Sequence, residues 1–128
     1  MVNVGNRYLS ISVIGEGSTG TIYKCKDLEA DKIVALKLAR DKVSIAELQN
    51  EFYFLSKFSH PNIIKVFDFA IVSQNKSFFT MEYFEGEPIN EVIKGYAPEI
   101  YSIITQICSA LSSIHDFNLI HCDLKPSH

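Results

Sequence analysis

The residues best placed to do chemistry are the last ones of the chain, His121-Cys122-Asp123-Leu124-Lys125-Pro126. Asp123 stands two residues after a histidine and two before a lysine, on a turn that follows an amphipathic helix. This is the spacing of a phosphoryl-transfer catalytic loop, whose signature H-R-D-L-x-x-x-N ends with an Asn five residues beyond the Asp. Here that position is His128, the final residue, so the chain is expected to stop inside its own active site. The plainer reading of Asp123 is an aspartate that caps a turn.

A second group is Gly15-Glu16-Gly17-Ser18-Thr19-Gly20, a G-x-G-x-x-G run. Alone it leaves three readings open: a structural hairpin, a nucleotide lid and a dinucleotide site. The dinucleotide reading requires a helix directly after the glycines. Thr21-Ile22-Tyr23-Lys24-Cys25 is instead β-branched and aromatic, which argues for a strand. In a strand–loop–strand lid, glycines let the backbone approach phosphates without Cβ clashes.

The third group is Lys37 with Glu51. Strand alternation places Val34, Leu36 and Leu38 on one face, and Ile33, Ala35, Lys37 and Ala39 on the other. Lys37 therefore rises from a face lined with alanines, which leaves room for a flat ligand. A single such lysine is more often a snorkelling edge residue. Glu51, however, sits on a helical stripe between Leu48 and Leu55, where a carboxylate is costly unless paired. Lys37 is its natural partner, with Glu47 as the competing acid.

The elements that must position these groups follow from periodicity and punctuation. Strands are expected over Tyr8 to Ile14, Thr21 to Lys26 and Ile33 to Ala39, with a polar hairpin loop from Asp27 to Lys32. Ser44-Ile45-Ala46-Glu47 fits a capping box, so a helix should begin there. It carries Leu48, Glu51, Phe52, Leu55 and Phe58 at helical spacing, and His60-Pro61-Asn62 stops it. Ile63 to Val72 and Ser77 to Phe84 are two further strands. After the linker Glu85-Gly86-Glu87-Pro88, Pro88 should open a short helix that Gly95 ends. A longer helix runs from about Pro98 to Phe117, with Ile100, Ile103, Ile104, Ile107, Leu111 and Ile114 on one stripe.

Composition narrows the function classes. The chain has 128 residues, enough for one domain at most, with 47% hydrophobic and 21% charged residues. A net charge of −3 leaves no basic footprint for nucleic acid. No apolar run approaches the ~18–20 residues that span a bilayer, and the start lacks the apolar region of a signal peptide. Gly5 is not at a myristoylation position, and a cytoplasmic location without a membrane partner is expected. Cys25, Cys108 and Cys122 are odd in number and far apart, which suits neither a disulfide framework nor a zinc site. No metal site is expected from the chain's own residues.

With these pieces in order, the chain resembles a eukaryotic-type serine/threonine protein kinase catalytic domain. The resemblance rests on Gly15-x-Gly17-x-x-Gly20-x-Ile22, on Val34-Ala35-Leu36-Lys37, and on Glu51 followed by Leu55, Phe58 and His60-Pro61-Asn62-Ile63. Met81-Glu82-Tyr83 and His121-x-Asp123-x-Lys125-Pro126 complete it. It covers the whole chain but only about the first half of the family's domain. Lys125, two residues after the Asp, resembles the serine/threonine class rather than the tyrosine class.

The implied fold is α+β. A kinase-like N-lobe of five antiparallel strands plus one helix spans about 7–82, a hinge spans 83–87, and 88–128 begin an incomplete helical C-lobe. The resemblance implies that Lys37 holds the α- and β-phosphates of ATP and pairs with Glu51, the spacing to His60 favouring Glu51 over Glu47. Gly15, Gly17 and Gly20 would cover the phosphates; Ile14, Ile22 and Ala35 would cover the adenine. Met81 would be the gatekeeper, and the backbones of Glu82 and Phe84 would bond the adenine edge. Asp123 would orient the substrate hydroxyl and accept its proton, and Lys125 would steady the transferring γ-phosphoryl group. His121 would pack structurally under the loop. The partners implied are ATP, a protein substrate and the missing C-lobe or downstream domains.

Departures from the family pattern temper this. Cys122 replaces an Arg that in many members pairs with a phosphate on the activation loop, a charge-assisted contact a thiol cannot make. His128 replaces the metal-binding Asn, and imidazole is a poor ligand for hard Mg²⁺. The D-F-G motif that supplies the other metal ligand does not occur in the chain. Mg²⁺ is thus expected for a complete domain but not on this chain's residues, and the isolated chain is expected to be inactive. The alternatives are a pseudokinase or nucleotide-binding interaction module, and a small-molecule phosphotransferase sharing the fold. The six large apolar residues of the last helix would each gain roughly 1.5–3 kcal/mol on full burial. The chain is therefore expected to expose that stripe and to aggregate, dimerise or fray after about Glu87.

Overall fold

The computed structural model describes residues 3–4, 6–92, 99–122 and 124. The expectations attached to Gly95, Pro98, Asp123, Lys125 and His128 lie outside the described residues. The chain divides into two compact units, one of residues 1–57 and 64–83, the other of 58–63 and 84–128.

The first unit is built on an antiparallel sheet. Its strands are β1 (Asn3–Val4), β2 (Tyr8–Glu16), β3 (Gly20–Asp27), β4 (Lys32–Ala39), β5 (Val66–Ser73) and β6 (Lys76–Glu82), in the spatial order β1-β2-β3-β4-β6-β5. Five were expected. The sixth, β1, is a two-residue edge strand pairing Val4 with Tyr8 and Asn3 with Leu9. Two residues are too few to show a period of two, so the sequence carries no sign of it. The start of β5 also moves, from Ile63 to Val66, because residues 58–63 belong to the second unit.

The alternation in β4 separates two apolar layers. Val34 and Leu36 are buried with Val4, Tyr8, Cys25 and Phe78 on one face, where Leu38 also packs. Ala35 and Ala39 are buried on the other face with Leu48, Phe79 and Met81. A strand covered on both faces must be apolar at both parities, which explains the near-continuous run from Ile33 to Ala39.

The second layer is closed by helix α1 (Ile45–Ser56), which packs against β5 and β6. Its start follows from the capping box. Ser44 Oγ accepts from the Glu47 N–H at 3.2 Å, and the Ser44 N–H donates to Glu47 Oε2 at 2.8 Å. Such a cap is worth about 1 kcal/mol. Leu48 is buried, and Phe52 and Leu55 pack beside it. The helix ends at Ser56, so Phe58 is not part of its stripe. Phe58 instead meets Phe117 edge-on within the second unit, with ring centroids 5.2 Å apart.

That second unit contains the single-turn helix α2 (Ile89–Val92), where the Glu91 N–H donates to the Pro88 carbonyl, and helix α3 (Ile100–His115). Asn118 adopts a left-handed φ of 57° just after α3, the conformation that commonly terminates a helix. His60 Nε2 lies 3.0 Å from Ser109 Oγ, and Asn62 Nδ2 donates to Gln106 Oε1 at 2.8 Å, so the His-Pro-Asn segment is tied to α3. Of the α3 stripe only Ile114 is buried; Ile104 is about half exposed.

Candidate functional site

The site builds up from one face of β4. Ile22 opposes Lys37 across the β3–β4 ladder, Gly20 opposes Ala39, and Ala35 opposes Met81 across β4–β6. Equal parity therefore puts Gly20, Ile22, Ala35, Lys37 and Met81 on one surface of the sheet. Met81 and Ala35 are buried, Ile22 is half-buried, and the hydrophobic floor beneath them continues into Phe79 and Leu48.

Lys37 Nζ donates to both carboxylate oxygens of Glu51, at 2.6 and 2.7 Å. The lysine side chain is largely buried (13% exposed) and the glutamate is more open (36%). Glu47 does not compete, because its carboxylate is used in the cap of α1, which holds it below its usual pKa. The helical stripe that placed Glu51 between Leu48 and Leu55 thus delivers its carboxylate to β4. An ammonium held this way has a fixed position while part of its surface stays open.

Gly20 explains how Lys37 lies where it does. A Cβ at Gly20 would stand 2.7 Å from the Leu38 carbonyl oxygen and 3.1 and 3.2 Å from Cγ and Cε of Lys37. The lysine stem therefore runs beneath a residue that can carry no side chain. The other two glycines have no such steric duty: a Cβ at Gly17 would meet only the Gly20 carbonyl at 3.9 Å, and one at Gly15 would make ordinary contact with Ile22. The turn is closed by the Gly17 N–H donating to the Gly20 carbonyl at 2.9 Å. Gly15 lies within β2 rather than in the turn, next to a register shift between Val13 and Gly15. Ile14 is exposed.

The Glu82 N–H donates to the Lys65 carbonyl at 2.8 Å, so an edge contact made by the Glu82 backbone falls to its carbonyl. Phe84 is exposed and opens the second unit. At the far end of the chain His121 and Cys122 are exposed, and the loop under which His121 was expected to pack lies outside the described residues. Cys122 has φ 61°, an uncommon conformation for a residue with a side chain, and its Sγ lies 3.7 Å from the Ile120 carbonyl. The structure brings together Lys37, Glu51, Gly20, Ile22, Ala35 and Met81; Asp123 and Lys125 lie outside the described residues.

Sequence reasoning missed a second ionic group, which anchors the sheet rather than a ligand. Asp27 is buried at the end of β3 and accepts from Arg7 Nε at 2.9 Å, Arg7 Nη2 at 2.8 Å, and the N–H groups of Glu29 and Ala30. Arg7 also reaches Asp68 at 3.1 Å, and the Tyr8 hydroxyl donates to Asp68 at 3.0 Å. The Arg7 guanidinium holds the Asp27 carboxyl down at about 2, and burial pushes the Tyr8 hydroxyl up to about 12. The available signal was that Asp27 continues the buried parity of Cys25. Among the described residues, no group of three or more His, Cys, Asp or Glu side chains is placed to hold a metal ion. No helix there is long and apolar enough to cross a membrane.

Comparison with known proteins agrees with this arrangement. The family profile of the protein kinase domain matches residues 8–128. The chain is 33% identical to the serine/threonine-protein kinase pkn3 of Myxococcus xanthus over 98% of its own length and 24% of that protein. It is 32% identical to the probable serine/threonine-protein kinase PknB of Lactococcus lactis, over the whole chain and 22% of the relative. It is 31% identical to the serine/threonine-protein kinase PrkC of Bacillus subtilis, over 96% of the chain and 20% of the relative. The chain thus spans between a fifth and a quarter of these relatives. With a match that covers nearly every residue, and a lysine–glutamate pair set under a glycine turn, this chain belongs to the protein kinase domain family.

Proposed function

We propose that the chain is the amino-terminal part of an ATP-dependent serine/threonine protein kinase domain, with its nucleotide site on the Lys37 face of the sheet. One observation carries the reading: the Lys37 ammonium is held by both oxygens of Glu51 beneath Gly20, on the surface it shares with Ala35 and Met81. The residues present fit ATP. Gly15 and Gly17 carry no side chain to hold a ligand away from the backbone, and no contact within the protein requires them to lack one. Lys37 supplies a cation for the α- and β-phosphates, and Ile14, Ile22, Ala35 and Met81 supply an apolar surface for the base. Glu82 offers its carbonyl and Phe84 its backbone to the adenine edge.

Bound ATP supplies the γ-phosphoryl group. Asp123 orients the hydroxyl of a protein substrate and takes its proton, and Lys125 places a positive charge beside the transferring group. Most of the catalysis expected of such a site is positioning and charge stabilisation. The residues do not fit Mg²⁺. The position that should offer an amide oxygen carries the imidazole of His128, and hard cations prefer oxygen. The metal ligands and the remaining helices must come from residues other than these, and the 128 residues alone are inactive in transfer.

The test is transfer of radiolabelled phosphate from ATP by the natural polypeptide that carries this chain, with Lys37→Met and Asp123→Asn as controls. Incorporation into serine or threonine that both substitutions abolish is the expected result. Cys122 and His128 favour one other reading, a nucleotide-binding pseudokinase module. It predicts ATP binding that Lys37→Met weakens, with no transfer.

A further inference from the structure

The opposite face of the sheet carries a basic depression that nucleotide binding does not use. Thr21 opposes Leu38 on the β3–β4 ladder, and Leu38 opposes Phe78 on β4–β6. Parity then places Thr21, Leu38, Phe78 and Lys76 together, turned away from Lys37. Where these strands end, an open hollow of about 470 Å³ is lined by Ser18, Thr21, Arg40, Asp41, Lys42 and Lys76, among others. Three cations and one acid converge there, in a chain where acids outnumber Lys and Arg 15 to 12. The hollow is therefore a local inversion of the chain's charge.

Its cations are also available. Arg40 meets Glu16 only at 3.6 Å, with both side chains largely exposed. Lys42 and Lys76 make no ion pair among the described residues. Three backbone segments line the hollow: the glycine turn and start of β3 with Ser18 and Thr21, the stretch after β4 with Arg40 and Lys42, and the start of β6 with Lys76. A guanidinium, two ammonium groups and two hydroxyls facing one hollow match the three acceptor oxygens and double charge of a phosphate monoester. A second hollow of about 350 Å³ shares Asp41 and Lys42 and continues along Val43, Ser44, Gln74 and Asn75. The amides of Gln74 and Asn75 offer donors and acceptors to an extended main chain. The pair of hollows thus suits a phosphate with polypeptide on one side of it.

We propose that this outer face is a binding site for a phosphorylated peptide segment, with Arg40, Lys42 and Lys76 taking the phosphate and the Gln74–Asn75 turn flanking its chain. The site is separate from nucleotide binding and requires no phosphoryl transfer.

The test is fluorescence anisotropy with a short fluorescein-labelled alanine–glycine peptide carrying one phosphothreonine, added to the 128-residue chain. The same peptide without phosphate is the control. The phosphopeptide is expected to bind at least about tenfold more tightly than the control, with affinity falling as salt rises. A Lys42→Gln, Lys76→Gln double variant, with an unchanged circular dichroism spectrum, should lose about tenfold or more. The Lys37→Met variant should bind unchanged, and ATP should not displace the peptide. Equal binding by the double variant, or no preference for the phosphorylated peptide, overturns the proposal. Displacement by ATP that Lys37→Met abolishes assigns the binding to the nucleotide face and also overturns it. Inorganic phosphate binding as tightly as the peptide would show a free-ion site and overturn the peptide assignment.

Discussion

Substituting alanine for Gly20 separates the steric reading of the glycine turn from the ligand reading. The added methyl would stand 2.7 Å from the Leu38 carbonyl oxygen, a backbone atom of the paired strand, and 3.1 Å from Lys37 Cγ. The lysine stem can shift by tenths of an ångström, but the carbonyl cannot move without disturbing the β3–β4 ladder. Overpacking of this kind costs about 1–3 kcal/mol. Loss of unfolded-state freedom returns about 0.4–1 kcal/mol. A net loss of about 1–2 kcal/mol remains, which lowers the urea midpoint by about 1 M for a slope near 1–2 kcal/mol/M. Gly17→Ala is the matched control, because its nearest neighbour would be 3.9 Å away. It should leave the midpoint within about 0.5 M. The assay is urea denaturation followed by far-ultraviolet circular dichroism, since the chain has no tryptophan. In a nucleotide-binding measurement both variants should weaken ATP, Gly17→Ala without any loss of stability. Equal midpoints for Gly20→Ala and the parent chain would refute the steric argument. Unchanged ATP affinity in Gly17→Ala would refute the assignment of that glycine to phosphate.

Three further outcomes follow from the two ionic groups and the helix cap. Asp27 is depressed from 3.8 to about 2 in the fold, so its contribution is complete above about pH 4 and is lost as pH falls through 2. It is worth about 2 kcal/mol at full value, and nearer 1 kcal/mol with Arg7 about one-third exposed. Asp27→Asn should remove that acid-dependent loss in urea midpoints measured from pH 5 to about pH 2; an unchanged pH profile would contradict the pairing. Glu51→Gln should weaken ATP binding several-fold while shifting stability by no more than about 1 kcal/mol, given the openness of the glutamate. Glu47→Ala should do the reverse, lowering the urea midpoint through the cap of α1 and sparing ATP. If the two glutamates behave alike, the division of labour between cap and ion pair is wrong.

The parts of the fold legible in the sequence were those with a local signal. The β4 alternation, the Ser44 cap and the Leu48–Glu51–Leu55 stripe each lie within a few residues, and together they orient Lys37 and Glu51. The Arg7–Asp27 pair was not legible, because its partners are 20 residues apart and Asp27 sits at the head of a polar run that also suits a loop. Only the continuation of the buried parity past Cys25 marks it. The edge strand β1 is too short to show a period. The shift of β5 from Ile63 to Val66 reflects the bonds from His60 and Asn62 to Ser109 and Gln106, which join segments 49 and 44 residues apart. Gly20 illustrates the middle case: the motif singled out three glycines, but only the packing of the Lys37 stem shows which one the fold itself requires.

The central claim is that Lys37 and Asp123 serve one phosphoryl transfer. It is tested most directly by mass-spectrometric identification of phosphorylated residues after incubating the natural polypeptide bearing this chain with ATP, Mg²⁺ and a protein substrate. The account predicts phosphoserine or phosphothreonine in the wild type, and none with Asp123→Asn, although that variant still binds ATP. Undiminished phosphorylation by Asp123→Asn, or a wild-type protein that binds ATP and transfers nothing, would contradict it.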